Sequence, residues 1–236
     1  MIRKSKSLIK DDSISSLPAY LILRKINKNE LSINQVLESF LKRIKLYNNQ
    51  LKVFKSLNLK NIYKQLLNQE QKNDKKLNGI PVAVKDIFNT EDLPNTMGSK
   101  IYENYLPGND SRIVNDVRVS GGLILGKSYA SEFAVHNPSP TLNPFNFSLS
   151  PGTSSGASAV AVASKMVPIS IGSQTAGSII RPASYCGVYG FKPSFGVIAR
   201  TGVLKTADTL DTIGFFANCV EDLKIIFDTT RQKGRN

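Results

Sequence analysis

The chain has 236 residues, of which 41% are hydrophobic, and a formal net charge of +13 at pH 7. This length and apolar content suffice for one large domain or two small ones with a sizeable core. No stretch approaches the roughly 20 apolar residues of a membrane span, and the N-terminal MIRKSKSLIKDDSISS lacks the apolar run of a secretion signal. We therefore expect a cytoplasmic protein that does not act at a membrane.

The excess positive charge lies in the first third of the chain. Residues 1–78 contain 17 Lys and Arg against 6 Asp and Glu, whereas the rest of the chain has 14 against 12. No interleaved aromatics or nucleic-acid-binding motif accompany this charge, so a solvated basic face is favoured over a nucleic-acid surface. Cys186 and Cys219 have neither metal-ligand spacing nor a disulfide pattern, so we expect reduced thiols and no metal or other cofactor.

The first third is predicted to be helical. Ser32 and Gln35 have the spacing of a capping box, and apolar residues then recur every three or four positions over about 33–47. A second stripe of this kind predicts a helix over about 58–71. We expect residues 1–78 to form a helical segment that packs on the side of a core made by residues 79–236.

From Gly79 onward, short apolar runs bounded by glycine or proline alternate with segments of helical character. Strands are predicted at 80–84, 122–126 and 167–172, and helices at about 111–119, 155–165, 178–185 and 219–230. Continuous apolar strands imply that both faces of the sheet are buried. The pattern therefore predicts an α/β fold, a sheet flanked by helices.

The stretch SPGTSSGASAVAVASK at 150–165 has several possible interpretations. The Ala/Val run disfavours a flexible linker, and no lysine stands where a phosphate-binding loop requires it. Gly152 to Gly156 match the G-x-S-x-G nucleophile elbow around Ser154, but the single histidine, His136, precedes this serine, whereas in that fold it follows. If a serine here is a nucleophile, its base should be a lysine.

Lys85 is the candidate base because it ends the run GIPVAVKD, at the carboxyl end of a predicted strand. It can accept a proton only if burial or nearby positive charge lowers its pKa. An ordinary salt bridge with Asp86 or another carboxylate is the open alternative. In GSQTAGSIIRP at 172–182, small residues and a helix start could turn backbone N–H groups toward one point, as in an oxyanion hole centred on Ser178.

Five stretches in this order resemble the amidase signature family, the Ser-cisSer-Lys amide hydrolases: GIPVAVKDIF, GGLILGKSYASEFA, SPGTSSGASAVAVAS, GSQTAGSIIRPASYCGVYGFKPSFG and LDTIG. The resemblance is close from residue 79 to about 230 and looser before it. It implies a mixed β-sheet core flanked by helices. It also implies hydrolysis of a carbon–nitrogen amide bond of a small molecule through an acyl-enzyme intermediate.

The resemblance also assigns roles by position. Lys85 would be the base, Ser154 the bridging serine and Ser178 the nucleophile, with the peptide bond between Thr153 and Ser154 in the cis form. The oxyanion hole would be formed by the backbone N–H groups of Thr175, Ala176, Gly177 and Ser178. Supporting roles would fall to Ser155 and Arg181.

The sequence also departs from the common family pattern. Glycine is usual at the positions of Thr153, Ala157 and Ala176. An acidic residue is usual at Gln174, and Arg181 stands one place later than in the commonest version.

Family members are usually considerably longer, so we expect the C-terminal half to be missing. Two hypotheses stay open. One is an amidase that works alone, as a homo-oligomer or with a separately encoded C-terminal half. The other is a catalytically inactive fragment or partner subunit that needs a second chain. This second hypothesis includes a glutaminase-type amidotransferase subunit, the one case in which tRNA would be a partner.

Overall fold

The computed structural model of the chain describes residues 14–57, 59–67, 75–135 and 137–232. His136 and parts of the predicted helix over 58–71 lie outside the described residues. The helices are α1 (Ala19–Asn27), α2 (Ile33–Leu51), α3 (Leu59–Leu67), α4 (Arg112–Val119), α5 (Gly156–Ala163), α6 (Ile180–Cys186) and α7 (Val220–Thr230). The strands are β1 (Phe54–Leu57), β2 (Pro81–Lys85), β3 (Leu123–Ser128), β4 (Ile169–Gln174), β5 (Tyr189–Phe191) and β6 (Thr212–Ala217).

The strands form one mixed sheet in the order β1-β3-β2-β4-β6-β5. Strand β2 lies parallel to β3 and β4, whereas β1, β5 and β6 pair antiparallel with their neighbours. Every residue of β2, β3 and β6 is buried. Because successive side chains point to opposite faces, both faces of these strands are covered. The predicted α/β fold with a mixed sheet flanked by helices is confirmed.

The helical prediction for the first third was wrong at 54–57, where β1 forms an edge strand. Four residues paired on one side do not produce a clear alternating pattern, so the surrounding helical periodicity dominated the prediction. The predicted capping box is confirmed, since Ser32 Oγ accepts the N–H of Gln35 at 3.1 Å and Gln35 Oε1 accepts that of Ser32 at 2.9 Å. Helix α2 then runs to Leu51, beyond the predicted end.

Two helices from opposite ends of the chain are joined by a buried carboxylate. Asp222, in the first turn of α7, accepts hydrogen bonds from the backbone N–H groups of Ala19 at 2.7 Å and Tyr20 at 2.8 Å. These groups open α1 and have no acceptor within their own helix. The carboxylate therefore caps α1 and fixes it to the core. No helix among the described residues is both long and apolar enough to cross a membrane.

Candidate active site

Lys85, the last residue of β2, lies at the centre of a group of serines. Its side chain is completely buried, and Nζ lies 2.7 Å from Ser154 Oγ and 3.0 Å from Ser173 Oγ. Burial lowers the pKa of Lys85 to about 7, although the charge of Asp211 acts in the opposite direction. At neutral pH a substantial fraction of this amine is therefore uncharged and can accept a proton.

Asp86 does not pair with Lys85, which removes the salt-bridge interpretation left open by the sequence. It pairs instead with Lys127, with 3.2 Å between Nζ and Oδ1. In the sheet, Lys127 stands opposite Val84, and Ser128 stands opposite Lys85. Because side chains alternate between faces, Lys85 and Asp86 point to opposite sides of β2. No described carboxylate lies within ion-pair distance of Lys85.

Ser154 sits in a turn between the sheet and α5. The peptide bond between Thr153 and Ser154 is cis, as the resemblance implies. Gly152 has φ +82°, and a Cβ at that position would lie 2.8 Å from Pro182 Cα. Only glycine allows this conformation and such a close approach to α6. The turn is thereby held against the start of α6 with the Ser154 side chain almost completely buried.

Ser155 attaches this turn to β4. Its hydroxyl donates to the carbonyl oxygen of Ser173 at 3.0 Å and accepts the N–H of the same residue at 3.3 Å. Ser173, which also contacts Lys85, is a site residue that sequence reasoning missed. The parallel pairing of β2 and β4 brings the carboxyl ends of both strands to one edge of the sheet. That pairing was the available signal, but it depends on strand order, which the sequence pattern does not give.

Residues 175–178 lead from β4 to α6, and we call them the oxyanion segment. None of their four backbone N–H groups has a hydrogen-bond acceptor in the described part of the chain. Ser178 is half-buried, and its hydroxyl is also without a partner there. The next two N–H groups, of Ile179 and Ile180, are bound by the side-chain oxygen of Gln174 at 2.8 and 3.0 Å. Gln174 thus caps α6 while the preceding donors stay available.

The unusual Gln174 has a simple explanation in this geometry. An amide oxygen accepts hydrogen bonds at a helix N-terminus as a carboxylate does. The departure from the common acidic residue therefore keeps the acceptor and removes the charge.

Arg181 lies between the two segments of the site. Its Nη1 is 3.5 Å from Thr153 Oγ1, and its Nη2 would be 2.9 Å from a Cβ placed on Gly177. The side chain is exposed and has no carboxylate partner among the described residues. It therefore presents a positive charge beside both the cis turn and the oxyanion segment. Nowhere in the described ranges do three His, Cys, Asp or Glu side chains come together in a way that could hold a metal ion.

The model of the family described as Amidase matches residues 35–236. A glutamyl-tRNA(Gln) amidotransferase subunit of Chlamydia pneumoniae is 38% identical over 222 residues, which are 88% of this chain and 44% of that protein. Solved structures are similar as well. The 6-aminohexanoate cyclic dimer hydrolase with its substrate gives a TM-score of 0.86 at 25% identity, covering 95% of this chain and 48% of the other.

The peptide amidase PAM in complex with chymostatin also gives a TM-score of 0.86, at 26% identity, and covers 94% of this chain and 48% of the other. A mixed sheet flanked by helices, with a buried lysine and serines at its edge, is the architecture of this chain, and its fold is shared with these amide-hydrolase structures. The chain belongs to the amidase family. It spans less than half the length of the curated relative above.

Proposed function

We propose that this protein hydrolyses a carbon–nitrogen amide bond, with Ser178 as nucleophile, Ser154 as bridging serine and Lys85 as base. The observation that carries the proposal is the buried Lys85, whose Nζ contacts Ser154 Oγ at 2.7 Å and whose pKa is lowered to about 7. A buried amine that is partly uncharged at neutral pH and bonded to a hydroxyl is suited to proton abstraction.

In the proposed reaction, the Ser178 hydroxyl passes its proton to Ser154 Oγ while the Ser154 proton moves to uncharged Lys85. Ser178 Oγ bonds to the amide carbon, and the carbonyl electron pair moves to oxygen. The unpaired N–H groups of the oxyanion segment stabilise that negative charge, which is often the largest contribution to catalysis of this kind. The C–N bond then breaks, the proton returns through Ser154 to the leaving amine, and water hydrolyses the ester on Ser178.

Labelling with a fluorophosphonate probe tests this proposal because the reaction needs an activated serine but no knowledge of the natural amide. We expect the wild-type protein to be labelled on Ser178, as located by mass spectrometry of the peptides, and Ser178→Ala to be unlabelled. Ser148→Ala, a change at an exposed serine, should label as wild type does. Equal labelling of wild type and Ser178→Ala would exclude Ser178 as the nucleophile.

A second candidate is a protein that needs another chain to work, as in a glutaminase-type amidotransferase subunit. The named relative is an amidotransferase subunit, and this chain spans 44% of it. In the described part of the chain, β5 pairs only with β6, and the nearby Tyr185 and Tyr189 are 51% and 54% exposed. An open strand edge with exposed aromatic residues is suited to binding another chain.

The two candidates differ in whether the isolated chain reacts. Labelling of Ser178 in the purified monomer supports an independent amidase. Labelling that appears only in a homo-oligomer, or after addition of the C-terminal half of the Chlamydia pneumoniae relative, supports dependence on a second chain. The oligomeric state is measured by sedimentation velocity on the same samples.

A further inference from the structure

Asp211 occupies a position set by the pairing of β4 and β6. These strands run antiparallel, and their last pair at this end is Gln174 opposite Thr212. One step further out, the chain leaves β4 at Thr175 and enters β6 from Asp211. The carboxylate therefore stands opposite the first residue of the oxyanion segment.

The Asp211 carboxylate binds this first residue and a second loop together. Its Oδ1 accepts the hydroxyl of Thr175 at 2.5 Å and that of Thr206 at 2.6 Å. Its Oδ2 accepts the backbone N–H groups of Thr206 at 2.6 Å and Ala207 at 3.0 Å. Burial would raise the pKa of Asp211, but these hydrogen bonds outweigh burial and hold it below the usual value. The group is therefore a fixed negative charge at neutral pH.

This charge faces the Lys85 side of the sheet. Asp211 and Ser173, whose hydroxyl contacts Lys85, line the same small cavity. Arg200 and Lys205 also line it, but each has Asp208 as its carboxylate partner, at 3.4 and 3.5 Å. Asp211 has no ion-pair partner among the described residues. It is also the one described carboxylate whose charge raises the pKa of Lys85 against the effect of burial.

We propose that Asp211 is a positioning residue of the amidase site, which fixes the start of the oxyanion segment through Thr175 and supplies the negative charge that Lys85 senses. The inference rests on the proposed function. It adds a residue that never touches the substrate yet acts on both halves of the site, the acceptor of the oxyanion and the proton acceptor. Loss of the carboxylate should therefore have two separable effects.

The test compares Asp211→Asn with Thr175→Val in the rate of fluorophosphonate labelling as a function of pH. In wild type the rate should rise with pH around about 7, as Lys85 loses its proton. Asp211→Asn removes the charge that raises the Lys85 pKa, so the midpoint should move to lower pH. Its plateau rate should fall roughly tenfold, less than the roughly 100-fold or greater cost of deleting an oxyanion donor outright.

Thr175→Val releases the oxyanion segment but leaves the carboxylate in place on Thr206. We expect a lower plateau with the wild-type midpoint. An Asp211→Asn midpoint equal to that of wild type would overturn the electrostatic part of the proposal, and wild-type plateaus in both variants would overturn the anchoring part. If Asp211→Asn does not fold, the Thr175→Val plateau still decides the anchoring part.

A measurement that needs no reactivity separates this inference from the proposed function. NMR of protein with ¹³Cε-labelled lysine gives the titration midpoint of Lys85, assigned by the signal missing in Lys85→Met. A lower midpoint in Asp211→Asn supports the inference even if wild type is not labelled by the probe. An unchanged midpoint in a protein that does label refutes the charge effect and leaves the proposed function intact.

Discussion

At the scale of single residues, the site depends on two buried lysines that differ in their partners. Lys85 contacts serine hydroxyls, whereas Lys127 contacts Asp86 and the carbonyl oxygen of Phe88 at 2.6 Å. Burial lowers the pKa of both lysines, and Asp86 opposes this effect at Lys127. One lysine is thus suited to proton transfer and the other to holding the structure.

The lowered pKa of Lys85 predicts a pH-dependent stability. Between about 7 and the ordinary value of 10.5, the unfolded chain binds a proton at Lys85 that the folded chain does not. Stability from this group therefore rises with pH across that window, by at most about 1.4 kcal/mol per pH unit, and is flat below it. Urea unfolding at pH 7 and pH 9 should show wild type gaining stability relative to Lys85→Met. A constant difference between the two proteins would contradict the lowered pKa.

The Asp86 and Lys127 pair predicts a large cost for breaking it. Both side chains are buried, so Lys127→Met leaves an uncompensated carboxylate and should lower the free energy of unfolding by about 3 to 5 kcal/mol. The matched control is Lys224→Met, which breaks the exposed pair with Asp228 and should change little. Urea denaturation measures both, and equal losses would show that burial does not govern the pair.

Sequence reasoning reached the residues that local motifs carry and missed those that depend on strand order. Lys85 and Ser154 are brought together as predicted, because GIPVAVKD and the cis turn identify themselves within a few residues. Ser173 and Asp211 became visible only through the pairing of β4 with β2 and β6. No local pattern distinguishes such a serine or aspartate from an ordinary polar residue at a strand end.

At the scale of elements, α6 begins with an unusual division of its N–H groups. Gln174 binds two of them, and the oxyanion segment before them keeps its own donors unpaired among the described residues. The identity of one side chain at the end of β4 thereby decides which donors are available to a ligand. An equivalent cap was recognisable at α2 from Ser32 and Gln35, because there the acceptor adjoins the helix in the usual pattern.

Gln174→Leu should remove this cap. We expect a loss of about 1 to 2 kcal/mol in stability, as for other N-terminal caps, and slower labelling of Ser178 because the oxyanion segment is no longer held from its helical side. Gln174→Glu keeps an acceptor oxygen and should retain most of the labelling rate. Thermal denaturation and probe kinetics check both variants, and a Leu variant equal to wild type in both would show that the cap has no effect.

Side chains also complete the sheet where strands are short. Beyond the end of β1, Gln65 of α3 accepts the N–H of Ile124 at 3.1 Å and donates to its carbonyl oxygen at 3.4 Å. A glutamine thus replaces one residue of an edge strand, which satisfies the backbone groups of β3 there. Strands β1, β5 and β6 were not predicted, since they are short or follow polar loops without a distinct boundary.

At the scale of the whole molecule, Asp222 joins the first described helix to the last. Asp222→Ala leaves two buried N–H groups without an acceptor and should cost about 1 to 3 kcal/mol. Asp228→Ala, on the same helix but at the surface, is the matched control and should have a much smaller effect. Hydrogen exchange should locate the loss in α1, and faster exchange confined to α7 would contradict the capping role.

The alternation of side chains along β2 has a consequence for how this protein can change. Substitutions in PVAVK alter only packing, but inserting or deleting one residue exchanges the faces on which Lys85 and Asp86 lie. The amine would then meet Lys127 and the carboxylate would enter the serine cluster, so that the proton acceptor and the structural anion trade places. Variation within this strand is therefore restricted to its composition, whereas its length is fixed by the chemistry at its end.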